Sequence, residues 1–220
     1  MRYSKEDIRR SMLLYAVTDR RWLKEGETLA GVCEKALKSG VTFLQLREKD
    51  LAEADFEREA EALRRLCAQY RIPYVVNDSV EIALRSGADG VHVGQSDIKG
   101  RDIRKLIGPD RILGMTARTV EEAMAAERAG ADYIGVGAVF PTGTKSDARP
   151  MTWQRLRDIR AAVSIPVVAI GGIHAGNIME LAGSGVDGAA VVSAIFASED
   201  PGAAAAELAA LSKEMIAKHI

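Results

Sequence analysis

The chain has 220 residues, 47% of them hydrophobic and 28% charged, enough to bury a full core as one domain, and no Pro/Ser/Gly-rich linker or low-complexity stretch divides it. The formal net charge is −1 with both signs interleaved, which excludes a broad basic field for nucleic acid or an anionic membrane and leaves any anion to be held locally. Residues 1–10 carry Arg2, Lys5, Glu6, Asp7, Arg9 and Arg10 with no apolar leader, and the longest apolar run, near 189–197, is too short to span a bilayer, so the expectation is a cytoplasmic protein acting on small molecules.

Leu13-Leu14-Tyr15-Ala16-Val17 reads as a first strand. Four later strands are announced by a helix-ending small residue and glycine: Ser39-Gly40-Val41, Ser86-Gly87-Ala88, Ala129-Gly130-Ala131 and Ser184-Gly185-Val186. These glycines lie too far apart for one strand–helix step and at a suitable distance for two. Between them, proline punctuates three more strands: Tyr74-Val75-Val76 after Ile72-Pro73, Ile112-Leu113-Gly114-Met115 after Gly108-Pro109, and Val167-Val168-Ala169-Ile170 after Ile165-Pro166. Glycine adopts the positive φ past a helix end, and proline withholds the next helical hydrogen bond.

The intervening segments read as helices. Phe56, Ala60, Leu63 and Cys67 share one face, with Glu57, Glu59, Arg64 and Arg65 mainly elsewhere. The strands are continuous apolar runs, as in parallel sheets covered on both faces. Eight such units predict an α/β, single-domain (β/α)8 TIM barrel over residues 1–220, closed by a last helix, 203–216. The rival, an open doubly wound sheet, lacks the Gly-x-Gly-x-x-Gly after its first strand.

Cys33 and Cys67 fall on apolar helix faces without Cys-x-x-Cys spacing and read as small buried hydrophobes. His92, inside the strand Val91-His92-Val93, reads as a satisfied buried imidazole; His174 follows a glycine turn and His219 sits near the end, and the three make no metal-ligand spacing. Nothing in the sequence sets the oligomeric state, and a homo-oligomer is compatible with it.

In this fold the reactive face lies at the C-terminal ends of the strands. There stand Gln45-Leu46-Arg47-Glu48-Lys49, Asn77-Asp78, Gly94-Gln95-Ser96-Asp97, Thr116-Ala117-Arg118, Phe140-Pro141-Thr142-Gly143-Thr144-Lys145, Gly171-Gly172-Ile173 and Val192-Ser193. Alternation puts Gln45, Arg47 and Lys49 on one side, either as a phosphate site or as an ion-pair layer with Glu48 and Asp50 at the surface. Asp78 and Asp97 end adjacent strands and precede helices. Singly each reads equally as a cap, but together, beside Arg47 and Lys49, they suit Mg2+, which accepts one or two carboxylates and completes its octahedron with water and phosphate oxygens. The stretch from Pro141 to Lys145 offers hydroxyls, backbone N–H groups and an ammonium to an anion, or is a plain turn. Gly171-Gly172 with Ser193 occupies the loop pair that often holds phosphate in this fold.

Six of these motifs, Gln45-Leu46-Arg47-Glu48-Lys49, Asn77-Asp78, Gly94-Gln95-x-Asp97, Pro141-Thr142-x-Thr144-Lys145, Gly171-Gly172-Ile173 and Val192-Ser193, in this order over nearly the whole chain, resemble the thiamine-phosphate synthase family. The resemblance implies joining 4-amino-2-methyl-5-(diphosphooxymethyl)pyrimidine to a thiazole phosphate, with Mg2+ as the metal and pyrophosphate released. It implies that Gln45, Arg47, Lys49 and Asn77 contact the pyrimidine diphosphate, that Asp78 and Asp97 hold the metal, and that Lys145 contacts the diphosphate. It also implies that Thr142 and Thr144 contact the thiazole, and Gly172, Val192 and Ser193 its phosphate. Thr116 stands where the family commonly has serine and keeps a hydroxyl for the pyrimidine. Arg118 stands where histidine is common and is left out of the site.

With no Ser-His-Asp arrangement, catalysis is expected to rest on charge neutralisation and positioning by Arg47, Lys49, Lys145 and Thr116, with loop 141–150 closing over the mouth. A thiazole tautomerase on the same barrel and a non-catalytic barrel that senses phosphorylated metabolites are the rival functions.

Overall fold

Each apolar run becomes a short parallel strand in the computed structural model, which describes residues 3–98, 100–143 and 150–218. After α1 (Lys5–Ser11) come β1 (Leu14–Val17), α2 (Leu29–Lys38), β2 (Phe43–Leu46), α3 (Glu53–Tyr70), β3 (Tyr74–Asn77), α4 (Val80–Arg85) and β4 (Gly90–Val93). The second half runs α5 (Gln95–Ile98), α6 (Ile103–Ile107), β5 (Ile112–Ala117), α7 (Val120–Arg128), β6 (Tyr133–Gly137), α8 (Trp153–Ala161), β7 (Val167–Ile170), β8 (Gly188–Val191), α9 (Ser193–Phe196) and α10 (Pro201–Ala217). The strands pair in sequence order, and β8 returns to β1, closing a barrel and excluding the open sheet.

Strand side chains alternate between two cores. Leu14, Ala16, Leu44, Leu46, Tyr74 and Val76 face the helices in one large apolar layer. Tyr15, Val17, Phe43, Val75, Tyr133 and Val168 form a second cluster within the barrel. On α3, Ala60, Leu63 and Cys67 are buried and Phe56 packs beside them, as the helical spacing predicts. Cys33 and Cys67 are free, buried thiols whose ionisation burial pushes up. The last helix begins where Asp200 accepts from the N–H groups of Gly202 and Ala203, and Pro201 occupies its first turn. It packs across α2, β1 and β8 at the closing seam.

Three features depart from the expectation. The charged N-terminus forms α1, opened by a Ser4–Asp7 capping box. Its Ile8 and the following Met12 join the inner cluster and plug the end of the barrel opposite the site. Between β7 and β8 a 3₁₀ turn, Ile178–Leu181, replaces an α-helix, burying Ile178 and Leu181. Gln45, Asn77 and Thr116 lie within β2, β3 and β5 rather than after them, and Asp97 lies inside α5 rather than before it. Among the described residues, no helix is long and apolar enough to cross a membrane.

Candidate active site

A cavity of about 440 Å³ opens at the C-terminal ends of the strands. Of the residues singled out from sequence, Gln45, Arg47, Lys49, Asn77, Asp78, Asp97, Thr116, Thr142, Gly172, Val192 and Ser193 all line it. Thr144 and Lys145 lie outside the described residues, as do His219 and most of the loop 141–150 expected to close.

Alternation continues past the end of β2. Arg47 and Lys49 face the cavity, whereas the Glu48 side chain turns away, only 2% of it exposed, onto Arg20 Nε at 2.8 Å. Arg20 also reaches Glu59 at 2.9 Å, so Glu48 pairs with Arg20 and not with Arg47 or Lys49. Burial raises the Glu48 pKa against the pull of Arg20. The Arg47 N–H is fixed by donating to Thr18 Oγ1 at 2.9 Å.

Asp78 has φ +64°, a left-handed conformation that costs a non-glycine residue energy and is held by its surroundings. Its N–H donates to the His92 carbonyl at 2.8 Å, and Ser79, not Asp78, caps α4. Neither is Asp97 an N-cap: from within α5 it accepts from the Gly94 N–H at 3.0 Å. Lys49 Nζ lies 2.7 Å from Asp78 Oδ2. Burial alone would raise the Asp78 pKa, but the Lys49 hydrogen bond and charge hold it below the usual range. Asp97 moves the other way, raised by burial and then by the charge of Asp78 and a hydrogen bond between the two carboxyls.

Two neighbouring carboxyls, one of which is harder to ionise because of the other's charge, are a donor set suited to a divalent cation. Among the described residues no group of three or more His, Cys, Asp or Glu could hold a metal. Asp78 and Asp97 would therefore supply two ligands and leave the rest to water and substrate oxygens, the coordination that Mg2+ accepts.

Across the mouth, Gly171 and Gly172 have φ +105° and +68°. A Cβ on Gly171 would fall 2.6 Å from Ala138 Cβ, and one on Gly172 2.3 Å from the Pro141 carbonyl. Both glycines are thus required by the approach of the β6–α8 loop, which donates from Phe140 N to the Gly171 carbonyl at 3.0 Å. Asn177 Nδ2 braces the turn by donating to the Gly172 carbonyl at 2.9 Å.

Sequence reasoning assigned no role to several cavity residues: Tyr15, Gln95, Ser96, Arg118 and Glu122. Gln95 Nε2 donates to the Thr116 carbonyl at 2.6 Å, and Glu122 accepts from the Arg118 N–H at 2.6 Å. Position carried the signal for Arg118, two residues beyond Thr116 and on the same side of the extended chain. His92 is satisfied, as expected, but also lines the cavity.

A family model described as thiamine monophosphate synthase matches residues 14–195. The thiamine-phosphate synthase of Clostridium beijerinckii is 50% identical over 89% of this chain and 93% of its own, and that of Clostridium tetani 45% identical over 91% and 96%. The solved structure of a thiamine phosphate pyrophosphorylase from Pyrococcus furiosus superposes with a TM-score of 0.86 at 39% identity, covering 94% of this chain and 98% of that one. With a matching barrel and sequence similarity along almost its whole length, the chain belongs to the thiamine monophosphate synthase family.

Proposed function

We infer that this barrel is a thiamine-phosphate synthase, a transferase that joins the pyrimidine diphosphate to a thiazole phosphate, or its carboxylated form, and releases pyrophosphate. The observation that carries the reading, beside the family, is the meeting of Arg47, Lys49, Asp78 and Asp97 from the segments that follow β2, β3 and β4 around one cavity. A site with fixed cations and a paired acid is built for a departing diphosphate.

Gln45, Asn77 and Thr116 lie at the strand ends and receive the pyrimidine ring. Arg47 and Lys49, with Lys145, hold the diphosphate. Asp78 and Asp97 would hold Mg2+, which when bound would supply positive charge to offset that of the leaving group. Thr142 and Thr144 meet the thiazole, and the backbone at Gly172, Val192 and Ser193 receives its phosphate.

Electron donation from the pyrimidine amino group breaks the C–O bond, and the bonding pair leaves with the diphosphate. The thiazole nitrogen then supplies the pair for the new C–N bond. The protein's share is to neutralise the leaving charge and to hold the nitrogen in line with the cationic carbon. No step needs a protein nucleophile. Metabolites this highly charged do not cross a lipid bilayer unaided, which supports a reaction in the cytoplasm.

Pyrophosphate release measured with both substrates, with and without Mg2+, tests the reading. Release that requires both substrates and the metal is expected. Isomerisation of the thiazole alone without pyrophosphate would indicate a tautomerase, and calorimetric binding without turnover a sensor.

A further inference from the structure

At the cavity floor, five polar side chains from five strands form one continuous hydrogen-bonded chain, buried except at the partly exposed Thr116. Gln45 Nε2 lies 2.6 Å from the Tyr15 hydroxyl, which lies 2.7 Å from the Tyr133 hydroxyl. Tyr133 Oη lies 3.0 Å from His92 Nδ1, and His92 Nε2 lies 3.0 Å from Thr116 Oγ1. Gln45, Tyr15, His92 and Thr116 all line the cavity, with Tyr133 bridging behind them. Strand glycine makes the room: a Cβ on Gly114 would fall 2.2 Å from Tyr133 Cζ and 2.6 Å from His92 Nδ1. A glycine inside a strand usually marks such a close approach.

Counting hydrogens gives the chain a direction. The Gln45 amide nitrogen donates to the Tyr15 oxygen, which leaves the single Tyr15 hydrogen for Tyr133. In the arrangement that leaves no hydroxyl hydrogen without an acceptor, Tyr133 passes its own to a bare His92 Nδ1. A neutral imidazole then carries its hydrogen on Nε2 and donates it to Thr116 Oγ1. The Thr116 hydrogen is displaced from that bond and turns to the cavity, while the Gln45 amide, its nitrogen engaged, keeps its oxygen for the ligand. Burial pushes both phenols well above their usual range, so they remain O–H donors.

We propose that Tyr15, Tyr133 and His92 are positioning residues that lock the pocket into one hydrogen-bond polarity, with the Thr116 hydroxyl as donor and the Gln45 oxygen as acceptor, and so select an aminopyrimidine over its oxo counterpart. The identity of the ring rests on the proposed function; the polarity of the chain does not. An amino group gives hydrogens to the Gln45 oxygen where an oxo group would set two acceptors face to face, and a bare ring nitrogen accepts from a hydroxyl where a ring N–H would oppose it. Unpaired buried polar groups are what make such discrimination large.

Nitrogen NMR of the imidazoles in the full-length protein reads the tautomer directly, with the His92 signals assigned by their loss in His92→Asn. The expected result is Nε2–H with a bare Nδ1; Nδ1–H, or a rapid mixture of tautomers, overturns the proposal whatever the enzyme does. Turnover reads the consequence. Tyr133→Phe should lower the ratio of kcat/KM for the amino substrate over its oxo analogue by about tenfold, the scale of one buried hydrogen bond. It should add nothing further in a Thr116→Val background. An unchanged ratio, or full additivity, also overturns the proposal, and Tyr15→Phe provides the same test should Tyr133→Phe fail to fold. Absence of any pyrophosphate release from the unmodified enzyme would sink the proposed function alone, because the tautomer remains readable.

Discussion

Lys49 Nζ and Asp78 Oδ2 meet at 2.7 Å across 29 positions of sequence, joining the end of β2 to the end of β3 at the mouth of the barrel. The pair ties the cation assigned to the diphosphate to one of the two carboxylates assigned to the metal. Neither residue can be altered without disturbing the other.

Lys49→Ala should therefore cost turnover twice, by removing a cation from the leaving group and by letting burial raise the Asp78 pKa. A loss of about 10²–10³ in kcat is expected by analogy with oxyanion donors. For Asp78 the cleaner variant is Asn, because Asn tolerates the left-handed φ of +64° better than alanine does. Steady-state pyrophosphate release, with circular dichroism to establish folding, checks both variants; full turnover in either would contradict their placement.

The Asp97 pKa is raised by burial and by the charge of Asp78, so protons should compete with a metal for the proposed Asp78–Asp97 pair above the ordinary carboxylate range. Apparent Mg2+ affinity should weaken as pH falls through that raised range. Asp97→Asn can keep the bond from the Gly94 N–H while losing the charge. It should require more Mg2+ for half-maximal activity, and chelation should abolish release from the unmodified enzyme. A titration of rate against Mg2+ at several pH values measures all three effects.

Gly172 has protein on the side where its Cβ would stand, 2.3 Å from the Pro141 carbonyl, and its φ is +68°. Gly172→Ala should displace the β6–α8 loop and cost about 1–3 kcal/mol in stability. If the neighbouring backbone holds the thiazole phosphate, KM for that substrate should rise more than KM for the pyrimidine diphosphate. Denaturant melts and the two KM values separate the structural part of the effect from the binding part.

Glycine makes much of the barrel legible, because Gly40, Gly87 and Gly130 adopt a positive φ just past a helix end, whereas Gly185 adopts it in the turn that follows Ile178–Leu181 and ends no helix. Position behind the strands makes much of the site legible for the same topological reason. What stayed hidden depends on which way a side chain points. Tyr15 and Tyr133 sit inside apolar runs 118 positions apart, and only the register of the closed barrel brings their hydroxyls to 2.7 Å. Helix α1 had a local signal, the Ser4–Asp7 box followed by Ile8 and Met12 at helical spacing, but its many charges masked it. The pairing of Lys49 with Asp78 instead of Glu48 likewise follows from neighbouring strand ends and not from neighbouring residues.

Asp19 gives a pH signature in stability apart from catalysis. It begins the turn after β1, is 4% exposed, and accepts from Arg21 at Nε (2.9 Å), at Nη2 (2.6 Å) and at the backbone N–H (3.2 Å). Burial would raise its pKa, but the Arg21 hydrogen bonds and charge prevail and hold it below the usual value. The folded state thus binds this proton less tightly than the unfolded chain does. The stabilisation is present above the unfolded carboxyl's pKa and is lost as pH falls through the depressed folded value. Asp19→Asn keeps an acceptor for the backbone N–H but gives up the charge. Arg21 is largely exposed, so the cost near neutral pH should be about 1 kcal/mol. That difference between the two proteins should close as the pH drops below the ordinary carboxylate range. Parallel denaturant melts at neutral and acid pH measure it, and a gap that stayed constant with pH would show that the charge of Asp19 contributes nothing to the fold.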